Sequence, residues 1–202
     1  MISHFVFDIG KVTLKFDFGI TAARLAPQCP LPESEILPAL QPLQIDLETG
    51  RLDTNAFAEA GMELIGYSGE RDTFVRAFQD IFTLNEPIAA LIDELAAADQ
   101  PLYLLSNTSE LHVSWFTQQY GVFDRFRDAV YSHEAGCMKP DAEIFHHAVS
   151  RFGLDPAGTI YIDDLPANVA AAADIGFRAL VYDHQDHADF RARFDALMDV
   201  TG

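Results

Sequence analysis

Short apolar runs that each end in a polar residue open this chain and then recur, alternating with helical patterns, through its second half. Phe5-Val6-Phe7 leads into Asp8, Leu102-Tyr103-Leu104-Leu105 into Ser106, Ala129-Val130-Tyr131 into Ser132, and Thr159-Ile160-Tyr161-Ile162 into Asp163. Ala179-Leu180-Val181-Tyr182 completes the series. Runs without polar alternation suit strands covered on both faces, as in a parallel sheet. The stretches between them carry helical spacing: Ile88, Leu91, Ile92 and Leu95; Glu110 to Tyr120; Phe145, Val149 and Phe152 before Gly153; Ala167 to Ile175; Phe190, Phe194 and Leu197. Such alternation predicts an α/β fold with a parallel sheet and right-handed crossovers. Ligands of open α/β sheets gather outside the carboxyl ends of the strands. Asp8, Ser106-Asn107 and Asp163-Asp164 therefore fall on one shared edge.

Between Thr13 and Pro87 the pattern is helical and shows no further strand. Asp17 and Asp53 stand where helix N-caps belong, and Pro27, Pro30 and Pro32 break the chain before a helix, partly interrupted by proline, expected from Glu33 to Leu47. Phe74, Phe78 and Phe82, spaced four apart, predict one apolar helix face. This block reads as a small helical domain inserted after the first strand.

The composition narrows the partners. Hydrophobic residues make up 49% of the 202, enough for a sizeable core, and no apolar run approaches the ~20 residues that span a bilayer. The start, Met1-Ile2-Ser3-His4, lacks the features of a signal peptide, and two cysteines, Cys29 and Cys137, imply no disulfide framework. These features predict a cytoplasmic protein. The net charge of −18, from 31 acidic residues against 13 Lys and Arg, argues against nucleic acid and anionic membranes as partners. A small anionic substrate would then need positive charge built into its own site.

The sheet edge supplies the means. Asp8, Asp163 and Asp164 repel one another unless a cation lies among them. Oxygen-only ligands without His or Cys favour a hard ion, and Mg²⁺ fits. With Lys139 from the loop before Pro140-Asp141, the site comes close to neutral and can accept a phosphate with help from Ser106. Asp8 is then placed as a nucleophile that forms an aspartyl-phosphate.

Asp8 after its strand, Leu105-Ser106-Asn107 after a second, Gly136-Cys137-Met138-Lys139-Pro140 after a third, and Asp163-Asp164 with Asn168 after a fourth resemble, in order, the four motifs of the haloacid dehalogenase (HAD) superfamily. The helical insertion resembles the cap of its subfamily I. The resemblance covers the whole chain and implies a Rossmann-like core, residues 1–14 and 86–202, with an α-helical cap, residues 15–85. Phe7-Asp8-Ile9-Gly10, Leu105-Ser106-Asn107-Thr108 with His112, and the acidic pair are similar to phosphatases of the α-D-glucose-1-phosphate type, and less closely to the phosphatase domain of soluble epoxide hydrolase. Carried over, Asp8 is nucleophile and metal ligand, the carbonyl of Gly10 a second ligand and Asp164 a third, with Asp163 close behind or reaching the metal through water. Ser106, Asn107 and Lys139 hold the phosphate, Lys139 also bridging nucleophile and substrate. Asn168 and His112 support the site. The expected substrate is a small phosphorylated metabolite, with a sugar phosphate the class the resemblance favours.

The sequence departs from most phosphatases of the superfamily at one position. Most of them carry a second aspartate two residues after the nucleophile, as general acid and base; here it is Gly10, a glycine that the resembling sugar-phosphate phosphatases share. Proton transfer to the leaving group commonly contributes a factor of about 10²–10⁴. Without it, leaving-group basicity is expected to govern the rate. Two other functions are compatible with the scaffold. In a 2-haloacid dehalogenase Asp8 would attack carbon without a metal, and Asp163-Asp164 argues against that. A non-catalytic binding protein would explain Gly10, and the retention of Asp8, Lys139 and both acids argues against it.

Overall fold

The computed structural model describes residues 2–199. Five strands form one parallel sheet: β1 (His4–Phe7), β4 (Leu102–Ser106), β5 (Asp128–Tyr131), β6 (Thr159–Asp163) and β7 (Arg178–Val181), in the spatial order β5-β4-β1-β6-β7. From β1 at the centre the chain builds outward through β4 to β5, then returns to the other flank for β6 and β7. The loops after β1, β4 and β6 therefore open onto a common crevice, the place where ligands bind in such sheets.

The expected two-sided burial is present. Phe5 and Phe7 face a core completed by α5 (Glu86–Ala97), α6 (Glu110–Gln119) and α10 (His187–Asp199). Val6 faces the opposite core, with Ile144, Phe145 and Phe152 of α8 (Ala142–Phe152) and Ala172 of α9 (Pro166–Asp174). Both layers follow from the period-2 alternation of a strand with no polar face.

After β1 the chain enters a short hairpin stem. β2 (Leu14–Phe16) pairs antiparallel with β3 (Phe82–Leu84), setting Phe16 opposite Phe82. Between them lie α1 (Phe18–Leu25), α2 (Glu33–Glu48), α3 (Thr54–Ile65) and α4 (Arg71–Gln79), packed around a core of their own that includes Leu25, Leu40, Phe57, Phe74 and Phe78. Asp17 caps α1 by accepting from the Gly19 amide at 2.7 Å, and Asp53 caps α3 by accepting from the Ala56 amide at 2.8 Å. The expected interruption by proline is absent: α2 runs as one helix through Pro38 and Pro42.

The stem corrects the sequence reading. α4 ends at Gln79 and Phe82 belongs to β3, so Phe74, Phe78 and Phe82 do not share a helix face. A spacing of four fits a helix, yet a strand that begins three residues past a helix end can preserve it by coincidence. Pairing with β2, 66 residues away in the chain, decided the outcome, and local periodicity carries no trace of it. The described residues include no helix long and apolar enough to cross a membrane.

Candidate active site

Asp8 directly follows β1, and its amide donates to the Ile162 carbonyl at 2.9 Å, as a continuing strand residue would. Its own carbonyl accepts from Thr13 Oγ1 at 2.8 Å, which ties the start of β2 back to the end of β1. Between them the chain turns through Lys11, whose φ is +55°, not through Gly10, which lies outside the left-handed region. Gly10 is small for a different reason: a Cβ there would meet Cε1 of Phe16 at 3.1 Å.

Lys139 is the centre of the polar cluster. Its Nζ donates to Asp163 Oδ2 at 2.6 Å and to the Leu105 carbonyl at 3.0 Å, and forms an ion pair with Asp8 Oδ1 at 2.8 Å. The side chain is 1% exposed. Burial alone would drive the proton off this amine; the charges of Asp8 and Asp163 outweigh it and hold the ammonium above the usual lysine range. Asn107 fixes the backbone here. Its Nδ2 donates to the Lys139 carbonyl at 2.9 Å and its Oδ1 accepts from the Lys139 amide at 2.8 Å.

Asp163, at the end of β6, is enclosed by donors. Besides Lys139 it accepts from Tyr161 Oη, from the Leu165 amide at 2.8 Å, and from Asn168 Nδ2 at 3.0 and 3.1 Å. Burial pushes its pKa up, but Lys139 and these hydrogen bonds win, so the carboxyl lies below the usual range. Asp164 is the more open of the pair, with Lys11 Nζ 3.9 Å away, and burial followed by the charge of Asp163 raises it. Burial raises Asp8 to about 6, with Lys139 opposing, Asp163 adding, and a Ser106 hydrogen bond again opposing. Asp8, Asp163 and Asp164 each bring a carboxylate oxygen within 4.8 Å of the others.

Beside this cluster an aromatic pocket is lined by Phe16, Phe18, Phe82 and Phe116 together with Ser106, His112 and Glu48. His112 lies on α6 with its ring against Phe82 and Phe18, and its Nε2 is buried without a partner. Burial lowers its pKa to about 4 despite the Phe78 carbonyl, so the imidazole is neutral at pH 7.

The fold thus assembles Asp8, Gly10, Asn107, Lys139, Asp164 and Asn168 around one cavity, with Ser106 and His112 in the pocket adjoining it and Asp163 beneath. Two participants escaped the sequence reading. Tyr161 lies two residues before Asp163, hence on the same strand face, a spacing that was open to reading. Glu48 lines both the cavity and the pocket. Its signal was slighter: an acid at the end of a long helix, two residues before a glycine.

Comparison with known proteins agrees with this fold. A family model described as haloacid dehalogenase-like hydrolase matches residues 4–176. Flavin mononucleotide hydrolase 1 of Arabidopsis thaliana is 24% identical over 163 residues, covering 77% of this chain and 63% of that protein, so the chain spans less than two thirds of that relative. A HAD-like family hydrolase from Porphyromonas gingivalis superposes with a TM-score of 0.81 at 27% identity, covering 98% of each chain. A HAD family enzyme from Bacteroides thetaiotaomicron, solved with magnesium and inorganic phosphate, superposes with a TM-score of 0.79 at 22% identity, covering 91% of this chain and 96% of that one.

Proposed function

The chain belongs to the haloacid dehalogenase-like hydrolases, and from that premise we propose that it is a Mg²⁺-dependent phosphatase acting on a small phosphorylated metabolite. The observation that carries this reading is the Lys139 ammonium, buried between Asp8 and Asp163 with Asp164 as a third acid within reach. A buried cation beside a nucleophilic carboxylate suits a substrate that brings negative charge. The names and contents of the relatives, a flavin mononucleotide hydrolase and a complex with magnesium and phosphate, point the same way.

The residues fit a magnesium ion. All the donors are oxygens, the three carboxylates crowd within 4.8 Å, and Asp8 Oδ1 is buried while accepting no directed hydrogen bond. Asp8, Asp164 and the Gly10 carbonyl would hold it, with Asp163 behind them. When bound, it supplies positive charge for the phosphoryl oxygens.

The chain's own residues do the rest. A carboxylate oxygen of Asp8 attacks phosphorus in line, and the bond from phosphorus to the leaving oxygen breaks. Lys139 favours the ionised form of Asp8 and, with the Ser106 hydroxyl, receives the phosphoryl oxygens. Asn107 places Lys139, and Asn168 places Asp163. The leaving group occupies the aromatic pocket, where a sugar ring can lay an apolar face on Phe16 or Phe82 and turn its hydroxyls to Glu48 and His112. The helices α1–α4, within residues 15–85, serve as a cap over this site, and the described residues of 1–14 and 86–202 as the core, Met1 and residues 200–202 lying outside the described ones. The two unpaired thiols, Cys29 and Cys137, suit a reducing, cytoplasmic setting.

A screen of phosphorylated metabolites with Mg²⁺ and with EDTA tests the reading. Turnover of a phosphate monoester that disappears in EDTA and returns with Mg²⁺ is the expected result. Hydrolysis at full rate in EDTA, or none of any phosphate ester, would overturn it.

A further inference from the structure

The turn after β1 leaves this site short of a proton donor. Gly10 presents a carbonyl and no side chain, and the Phe16 ring fills the space where a side chain would begin. A basic alkoxide departs slowly unless something protonates it. A donor for that end of the cavity has to come from another part of the chain.

Glu48 meets the geometry. Its side chain reaches the cavity that holds Asp8, Lys139 and Asp164, and also the pocket of Phe16, Ser106 and His112. Among the described residues it is the only acid lining that pocket, and the only acid lining either space that the α1–α4 block contributes. Asp8 and Asp164 are committed to the crowded acid cluster, whereas no hydrogen bond or ion pair engages the Glu48 carboxyl among the described residues.

Its placement is built into the backbone. Ser132, at the start of α7 (Ser132–Ala135), donates from Oγ to the Glu48 carbonyl at 2.5 Å, and the same oxygen accepts from the Thr108 amide at 2.9 Å. Two residues after Glu48, Gly50 has φ +71°, and a Cβ there would lie 2.1 Å from the His133 carbonyl oxygen. Only a glycine permits that approach. The end of α2 is therefore pressed onto the loops after β4 and β5 at the point that aims Glu48 toward Asp8. Burial, and then the charge of Asp8, push the Glu48 carboxyl up to about 7.

Resting on the phosphatase reading above, we propose that Glu48 is the general acid and base of the reaction, a catalytic residue delivered by the helical insertion to the role that Gly10 leaves open. As Asp8 oxygen bonds to phosphorus and the leaving-group bond breaks, the Glu48 proton passes to the leaving oxygen, giving a free alcohol and a Glu48 carboxylate. In the second half that carboxylate takes a proton from water as the water oxygen bonds to phosphorus. The bond to Asp8 breaks, and inorganic phosphate, an Asp8 carboxylate and a protonated Glu48 result.

The experiment compares wild type and Glu48→Gln, with Mg²⁺, on phosphate monoesters graded by leaving-group pKa from p-nitrophenyl to primary alkyl. Inorganic phosphate binding in the presence of Mg²⁺ is measured on both by calorimetry. With Glu48 as donor, wild type should vary little along the series, in place of the steep dependence on leaving-group basicity expected from Gly10 alone. Glu48→Gln should lose about 10²–10⁴-fold on alkyl esters and ~10-fold or less on p-nitrophenyl phosphate, with phosphate binding retained. An equal loss along the whole series, or no loss on alkyl esters, overturns the role. Should Glu48→Gln lose phosphate binding, Glu48→Asp replaces it, and a deficit confined to the alkyl end is again required. A wild type inactive on every ester defeats the phosphatase reading itself, and that arm alone reveals it.

Discussion

The sheet edge and the end of α2 contribute to one cavity by different physical routes. At the edge, Asp8, Lys139 and Asp163 are bound to one another, each through contacts of 2.8 Å or less with Lys139. They form a buried network in which every member depends on the rest. Glu48 reaches the same cavity with an unpaired carboxyl, and it is its backbone, through Ser132 and Gly50, that is held. On the proposed function, the first region makes a charged site for a phosphoryl group, and the second adds a group that can gain and lose a proton without disturbing that site. Changes at the edge should therefore abolish reaction with every substrate. Changes at the end of α2 should alter which substrates react well.

The largest effect is expected at Asp8. Asp8→Asn should reduce turnover to background for every ester, since an amide cannot form the covalent intermediate. Circular dichroism should show the fold intact, because the substitution preserves shape. Measurable steady turnover of p-nitrophenyl phosphate by this variant would remove Asp8 from the role of nucleophile.

Lys139→Ala should follow closely and should also cost stability, which Glu48→Gln should not. Removing the ammonium leaves Asp8 and Asp163 buried with no compensating cation, a defect of about 3–5 kcal/mol, and weakens transition-state stabilisation by roughly 10²–10³-fold. Urea unfolding and turnover measured on one preparation check both. A stable but inactive Lys139→Ala would mean that the carboxylates find another partner.

Magnesium offers a test that needs no turnover. The raised pKa of Asp8 means that the metal-free folded state binds a proton more tightly than the unfolded chain does. Between the ordinary aspartate value and about 6 its contribution to stability therefore falls as pH rises. A divalent cation competes with that proton and should raise the melting temperature more at pH 8 than at pH 5. Ca²⁺, larger and tolerant of looser geometry, should stabilise the fold yet restore turnover poorly. An equal melting shift at both pH values would show that the ion binds away from Asp8.

The same contrast explains what the sequence disclosed. Asp8, Ser106 and Asp163 were legible because a parallel strand ends at a known edge and its last residue marks the crevice. Lys139 lies in a loop, at no position that periodicity selects, and it was found through its motif. Asn107 was expected to hold substrate; its amide engages the Lys139 backbone on both sides, a bond between residues 32 apart that local pattern does not encode. The β2–β3 stem was missed for the same reason, since its pairing joins residues that the whole helical block separates. Glu48 was least visible of all, because what aims it is backbone contact with Ser132 and His133 across two distant parts of the chain.

The smaller predictions probe that backbone seat. Gly50→Ala adds a methyl group against the His133 carbonyl at a positive φ. It should cost ~1–3 kcal/mol of stability and, by lifting the end of α2, should weaken hydrolysis of alkyl esters more than of p-nitrophenyl phosphate. Ser132→Ala is milder, because it removes the hydroxyl that joins the Glu48 carbonyl to the Thr108 amide without introducing a clash. Its stability cost should be ~1–3 kcal/mol, the lower end applying if water reaches the exposed groups. The informative quantity is the ratio of rates on p-nitrophenyl and alkyl phosphates. If Glu48 works through its placement, that ratio should rise in Ser132→Ala, rise further in Gly50→Ala, and rise furthest in Glu48→Gln. In the double variant Ser132→Ala with Glu48→Gln, the serine change should add almost nothing to the ratio, since the group it positions is already disabled. Full additivity in that double variant would mean that Ser132 affects the reaction through Thr108 and the sheet edge, independently of Glu48.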